Sequence, residues 1–365
     1  MKILCTQENL HNGLCITGHF LGKHNSLPIL GNVLLKAQGN SISFTTTNLE
    51  IGIEATIRGK IEEEGSFTVD AKIFSEYISL LPKENVEITT INNELEIKTS
   101  KTQTRMKGLP SDEFPLLPEV EKKTSFTFSS MDFKKALSQV IFAVSHDEIR
   151  VELTGVLFSF EKEKLILAAT DSYRLTEKQF FYKSDIQEGI HIIVPLKSVT
   201  EMIRILSGED CILYCSQNQI SLLNNGAHFI SRIIDGNYPD YKQLIPEKRN
   251  TKIIVNRSEF LTQIRTAGLF CRPGINDVHL KFSPEKKAII IASINAQLGE
   301  NISELDAQIS GDENEIVFNY RYLLDGLNSI STNEVVLEII DKNNIGLLRP
   351  KDESDYLYLI MPIRQ

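Results

Sequence analysis

The chain has no tryptophan, and only five cysteines and five methionines among 365 residues. The odd cysteine count (Cys5, Cys15, Cys211, Cys215, Cys271) does not describe a disulfide framework. The start, MKILCTQENL, has one lysine and a short apolar patch before turning polar, which is not an export signal. Reduced thiols and a cytoplasmic location are expected. Cys211 and Cys215 share one face of the strand-like CILYCSQ, but no further ligand pair stands at metal-binding spacing, so no metal and no cofactor are expected. No apolar run approaches the roughly 18–20 residues of a spanning helix, so no membrane partner is expected. Catalytic signatures are missing too: there is no P-loop, no G-x-S-x-G and no H-E-x-x-H. The seven histidines lack a carboxylate or cysteine partner at a repeating spacing. Nor is there a basic surplus. Lys and Arg number 39 against 48 Asp and Glu, a net charge of −9, which taken alone disfavours a nucleic-acid binder.

What the chain does have is one pattern written three times. VDAKIFSEYISLLP, VPLKSVTEMIRILSG and FNYRYLLDGLNSIS begin at Val69, Val194 and Phe318, 125 and 124 residues apart. Each opens extended, runs into an amphipathic helical pattern, and sets a basic residue at the same place: Lys72, Lys197 or Arg321. A second set, ENLHNGLCITGHF, MDFKKALSQVIFAVS and SEFLTQIRTAGLF, aligns on Leu10, Phe133 and Phe260. Solenoid units are roughly 20–50 residues, far shorter than this period; a small compact domain fits it. Three domains are expected, near 1–122, 123–250 and 251–365.

Between the helices the segments are β-branched and bounded by turn residues, as in SISFTTTNLEIGIEATI and KLILAATDSYRLTEKQF. Asn92-Asn93, Gln217-Asn218 and Asn343-Asn344 mark hairpins, because Asn tolerates the left-handed conformation of tight turns. The fold class is therefore α+β: three repeated domains, each with two helices on curved antiparallel sheets. GLPSDEFPLLPEVEK and DGNYPDYKQLIPEKRN close the first two repeats as stiff, proline-bearing connectors.

Charge is distributed unevenly. The helix windows 7–23, 71–83, 131–145, 196–207, 257–267 and 320–330 hold ten basic and six acidic residues, a balance of +4, which leaves −13 for the rest. Lys and Arg are common on solvated helix faces; the alternative is a segregated field, positive on the helix layer.

LPILGNVLL at 27–35, ATDSYRL at 169–175, GNYPDYKQLIP at 236–246, FNYRYLLDGL at 318–327 and YLIMPIR at 358–364 stand in order along the whole chain. In these motifs the chain resembles the bacterial DNA polymerase III β subunits, the sliding-clamp family. The resemblance implies an accessory protein rather than an enzyme: a DNA-replication processivity factor that forms a head-to-tail homodimer, a six-domain ring around double-stranded DNA. It also implies partners, namely the DNA polymerase III α subunit, the clamp loader and other proteins with a clamp-binding motif. Helices would line the hole, so Lys23, His24, Lys72, Lys134, Lys135, Arg150, Lys197, Arg204, Arg257, Arg265 and Arg321 are the expected DNA-facing residues. Positions 24 and 147 often carry Arg and Gln in the family; here they are His24 and Asp147, with Lys23 and Arg150 beside them as substitutes.

The resemblance further implies a peptide-binding pocket at Leu153, Thr170, Tyr173, Arg174, Leu175, Pro239, Leu244, Ile275, Asn319, Tyr322, Leu359, Met361, Pro362, Ile363 and Arg364. Without it, these apolar residues read as interdomain core. The dimer contact is expected to pair Thr104 and Met106 with Leu269 and Phe270 of a second copy. Ser172 replaces a frequent Gly, Tyr173 a frequent His, and Gln365 a common apolar terminus. Two other classes stand beside the clamp: an enzyme using Asp171, Arg174 or Asp240, and a β-rich scaffold that binds only proteins. Asp171 fits better as a turn residue that bonds backbone N–H groups.

Overall fold

The computed structural model describes every residue except 19–26, 119, 121–123, 183–188, 209 and 365. Lys23, His24 and Gln365 thus lie outside the described residues.

Six helices are described: α1 (Gln7–Thr17), α2 (Ala71–Leu80), α3 (Ser130–Val140), α4 (Leu196–Ile205), α5 (Arg257–Gly268) and α6 (Tyr320–Ser329). Each begins on the residue after a strand ends. Thr6, Asp70, Asn256 and Asn319 close four of these joints, their side-chain oxygens accepting from the N–H of Asn9, Ile73, Glu259 and Arg321. Such caps satisfy donors that the first turn of a helix leaves without partners. Every helix but α5 ends short of its sequence window. α1 stops at Gly18, whose N–H bonds Leu14 O, and α2 stops before Leu81-Pro82, since proline disfavours helix in the residue preceding it. Lys83 therefore follows α2 and is not part of it.

The chain forms two compact units. One comprises residues 1–132 and 200–233, the other 133–199 and 234–365. The first is built on a 13-stranded sheet; the second holds a nine-stranded and a four-stranded sheet. The units cut the second repeat because strands pair across repeat boundaries. Ala227–Arg232 runs antiparallel to Ile51–Ile57, with Phe229 opposite Ile53. In the second unit Tyr356–Ile360 runs antiparallel to Arg174–Phe181, with Tyr358 opposite Thr176. In both cases the last strand of one repeat pairs with the same strand of the repeat before it.

Two strands lack such a neighbour among the described residues. Gly299–Asp306 is the outer strand of the four-stranded sheet. Gln103–Leu109 pairs with Glu94–Lys98 on one side, but on the other it meets only Val69 and Thr68, through Gly108 and Leu109. The helices pack fully buried side chains onto the sheets, Leu10, Leu14, Phe74 and Ile78 in the first unit and Phe260, Ile264, Leu323 and Leu327 in the second. Of the three expected hairpins, Asn92 takes φ 54° between paired Ile91 and Glu94. Near Asn343 and Asn344 the loop is longer, and Asp341 Oδ1 accepts both of their N–H groups.

Candidate functional site

Two turns share one construction. In residues 47–51, Asn48 Oδ1 accepts from the N–H of Glu50 (3.0 Å) and Ile51 (2.7 Å), and Thr47 Oγ1 accepts from Leu49 (3.1 Å). In residues 170–174, Asp171 Oδ1 accepts from Tyr173 (2.9 Å) and Arg174 (3.0 Å), and Thr170 Oγ1 from Ser172 (3.1 Å). The middle residues, Leu49 and Ser172, are both left-handed, at φ 77° and 75°. Each turn also accepts an N–H at the end of the strand that pairs beside it: Arg232 to Glu50 O (3.0 Å) and Met361 to Tyr173 O (2.9 Å). Asp171 is thus a turn-forming residue, its second oxygen accepting from Arg174 Nε (2.9 Å).

A cleft of ≈ 340 Å³ opens beside the second turn. Leu153, Thr170, Arg174, Leu175, Pro239, Leu244, Leu359 and Met361 line it, together with Ser172, which the sequence places at the pocket edge, and Arg150, Asp240, Tyr241 and Ile345, which it does not assign to a pocket. Met361 (40% exposed) and Leu244 (50%) leave apolar surface uncovered at this wall. Tyr173, Ile275, Asn319, Tyr322, Pro362, Ile363 and Arg364 do not line the cleft. Asn319 Oδ1 is engaged in capping α6, and Ile363 N–H bonds Val317 O (2.8 Å). The stacked tyrosine of this group is Tyr322, whose ring centre lies 4.6 Å from the Arg174 guanidinium.

Arg174 organises the wall. It bonds Asp171, Asp325 and, through Nη2, Phe142 O (2.8 Å), while its side chain is 11% exposed. Burial works against its charge, but Tyr358, Asp325 and Asp171 outweigh it and hold the guanidinium pKa above its ordinary range. Tyr241 donates to Glu177 Oε2 (2.6 Å) and is buried; burial, then the Glu177 charge, push its phenol pKa upward. Arg and Tyr are locked by these bonds, so the apolar side chains between them form a preset floor. Tyr241 was findable in the YPDY turn. Ile345 was not, because it reaches the cleft only through folding of a distant loop.

At the matching place beside the first turn, Leu117 lies against the backbone. Gly52 stands where the second turn has Leu175, and a Cβ on Gly52 would fall 2.2 Å from Leu117 Cδ2. Leu117 follows Phe114-Pro115 as Tyr241 follows Tyr238-Pro239.

The expected DNA-facing cations divide into two groups. Lys135, Lys197, Arg265 and Arg321 are exposed; Lys134 is half-buried, and Lys72 is exposed with Glu76 at 4.0 Å. The other two helix arginines are committed to carbonyls. Arg204 donates to Cys15 O (2.7 Å) and Ile16 O (2.5 Å), and Arg257 to Thr332 O (3.0 Å) and Leu327 O (3.2 Å). Arg150 stands in the cleft wall, bonded to Glu152 (3.1 Å). Asp147 Oδ1 accepts from Ile149 N–H and so shapes its own loop. Of the expected dimer residues, Thr104 accepts from Tyr77 Oη (2.8 Å), Met106 packs on the first core, Leu269 is 71% exposed and Phe270 half-buried. Among the described residues no helix is long and apolar enough to cross a membrane.

Family models of the DNA polymerase III beta subunit match in three consecutive stretches: the N-terminal domain over 1–118, the central domain over 127–240 and the C-terminal domain over 242–364. The beta sliding clamp of Bacillus subtilis (strain 168) is 33% identical over 378 residues, covering 100% of both chains. That of Staphylococcus aureus (strain N315) is 31% identical over 357 residues, covering 94% of each. The crystal structure of the DNA polymerase sliding clamp from Bacillus subtilis superposes with a TM-score of 0.96 at 31% identity, over 100% of this chain and 99% of that one. A sliding clamp from Pseudomonas aeruginosa bound to griselimycin gives 0.96 at 25% identity, over 100% of each. The chain belongs to the DNA polymerase III β subunit family, the bacterial β sliding clamps.

Proposed function

We propose that two copies of this chain close head to tail into a six-domain ring that encircles duplex DNA and slides on it, while the cleft tethers the replicative polymerase and other proteins by short peptides. One observation carries the reading. The chain pairs strands across its first and second repeat junctions in the same way, and it leaves a matching edge open at each end of the series. Gly299–Asp306 corresponds to the strands that receive a neighbour, and Gln103–Leu109 to the strands that supply one. A second copy supplies what the first lacks. Six near-equal domains turning about 60° each make a closed heterologous assembly. Domain boundaries near 122 and 250 follow from the same reading.

The two edges are chemically complementary. Arg105 and Lys107 lie on one, Glu300, Glu304 and Asp306 on the other. Ile302 is 64% exposed, Leu298 65% and Leu269 71%, so apolar surface is available to be covered. Opposed charges of this kind set orientation and encounter rate more than raw affinity.

Inside the ring, Lys72, Lys134, Lys135, Lys197, Arg265 and Arg321 face phosphate. Contacts to phosphate carry no sequence information and weaken with salt. A sparse set suits sliding, since retention comes from enclosure. The protein works as an accessory without chemistry of its own, and ring opening depends on a separate loader. In the cleft, two apolar anchors contribute roughly 1.5–3 kcal/mol each, and peptide ordering offsets several kcal/mol. Affinity near micromolar, about −8 kcal/mol, allows the polymerase α subunit, the clamp loader and other partners to exchange.

Mass in solution together with a particle image tests the closure. A dimer with a central hole is expected; a compact monomer at every concentration contradicts it and favours the protein-only scaffold.

A further inference from the structure

Residues 239–244 form one side of the cleft, through Pro239, Asp240, Tyr241 and Leu244. Packing holds this segment only in part. Pro239, Asp240 and Tyr241 also line a separate cavity of ≈ 390 Å³ outside the cleft, with Leu157, His191 and Ile193. The segment's own bonds are local: Tyr241 N–H donates to Pro239 O (2.8 Å) and Gln243 Nε2 to Asp240 Oδ2 (2.8 Å). Two contacts tie it to the sheet. Lys242 Nζ lies 3.8 Å from Glu161, on an exposed side chain, and such surface pairs contribute little. Tyr241 Oη donates to Glu177 Oε2 at 2.6 Å, and both residues are buried. The buried bond is the firmer attachment.

Glu177 itself does not line the cleft. It shares a strand face with Leu175, two residues before it, which does. Its other oxygen accepts from Gln179 Nε2 (2.9 Å). Tyr241 packs with Ala168, Leu175, Leu347 and Leu359 in one small buried cluster. A carboxylate deprived of the Tyr241 hydroxyl would stay buried with one donor fewer, which is costly.

We infer that Glu177 is a positioning residue for peptide binding: without touching the ligand, it fixes the 239–244 segment through Tyr241 and so sets the cleft width that apolar anchors meet. This rests on the peptide-binding reading given above. A cleft already held at its binding width costs the ligand less ordering on entry.

The probe is a fluorescein-labelled, uncharged nonapeptide with adjacent Leu and Phe at its centre, read by fluorescence anisotropy against the purified chain. Tyr241→Phe keeps the ring and removes the bond, so affinity should fall about tenfold, the scale of a hydrogen bond to a charged group. Glu177→Leu should lose a similar factor. The double variant Tyr241→Phe/Glu177→Leu should lose no more than either alone, because the same bond is broken in all three. Glu177→Gln keeps an acceptor for Tyr241 Oη and should stay within about twofold of wild type, a rescue that general weakening of the fold does not give. Wild-type affinity in Tyr241→Phe, losses that multiply in the double variant, or a Glu177→Gln as weak as Glu177→Leu overturns the positioning role. Should Glu177→Leu fail to fold, Tyr241→Phe against Glu177→Gln decides alone. If the wild type binds no peptide, the peptide-binding reading itself fails, and the role of Glu177 with it.

Discussion

The first and second repeat junctions use the same turn, the same bonds and the same cross-repeat strand pairing, yet one is filled and the other open. At the first, Gly52 has no side chain and Leu117 sits against it. At the second, Leu175 occupies the matching place, the chain after Pro239 turns aside through Tyr241, and a ≈ 340 Å³ cleft remains. A repeated backbone supplies both junctions; at the matching position a glycine lets Leu117 close in on one, and a leucine lines the cleft at the other. Close packing explains the sensitivity: interiors respond to single methyl groups.

The largest effect is expected where the comparison extends to the unclosed third junction. Ile302→Arg sets a cation against the Arg105 and Lys107 edge of a second copy, and like-charge contact there should weaken the dimer roughly a thousandfold. Sedimentation velocity at nanomolar to micromolar concentration reads it; a variant as dimeric as wild type removes that edge from the interface. Next is the open cleft. Met361→Asp leaves a charge against an apolar ligand and should weaken peptide binding roughly a hundredfold while the dimer persists. Fluorescence anisotropy with a labelled peptide decides this, and unchanged binding removes the cleft as the site.

The filled junction gives a smaller, reversible effect. Gly52→Leu drives a side chain into Leu117 and should cost about 1–3 kcal/mol in urea unfolding. Adding Leu117→Ala should restore much of that loss, because the new side chain then takes the space that Leu117 vacates. Additive losses would show that Leu117 does not fill the space Gly52 leaves.

Much of this was legible in the sequence, for identifiable reasons. The helices were, because two amphipathic patterns recur at fixed spacing, one carrying Lys72, Lys197 and Arg321, and Thr6, Asp70 and Asn319 cap three of the helices locally. Eight cleft residues were, seven through the ATDSYRL, GNYPDYKQLIP and YLIMPIR motifs and Leu153 through the resemblance those motifs carry. Strand pairing across repeats was not, since Phe229 and Ile53 are far apart in the chain and nothing local marks them as opposite. Nor was the engagement of Arg204 and Arg257 by carbonyls, because a basic residue on a helix reads the same whether it meets solvent or a neighbouring helix end.

The smallest effect concerns acid. Lys98, then Arg105, hold the Glu96 carboxyl down to about 2. A carboxyl depressed in the folded state stabilises above its unfolded pKa, about 4.3, and that contribution is lost as pH falls toward 2. Because Arg105 lies on the Gln103–Leu109 edge, acid should loosen this strand, and Glu96→Gln should flatten the unfolding midpoint between about pH 4 and about pH 2. A variant with the wild-type profile removes Glu96 as the cause.

Enclosure is tested most directly on DNA. Protein loaded by a clamp loader onto a nicked circular duplex should remain through gel filtration at high salt, and should leave at once when a restriction enzyme linearises the circle. Equal loss before and after cutting would show that grip rather than enclosure holds the DNA, and would contradict the ring.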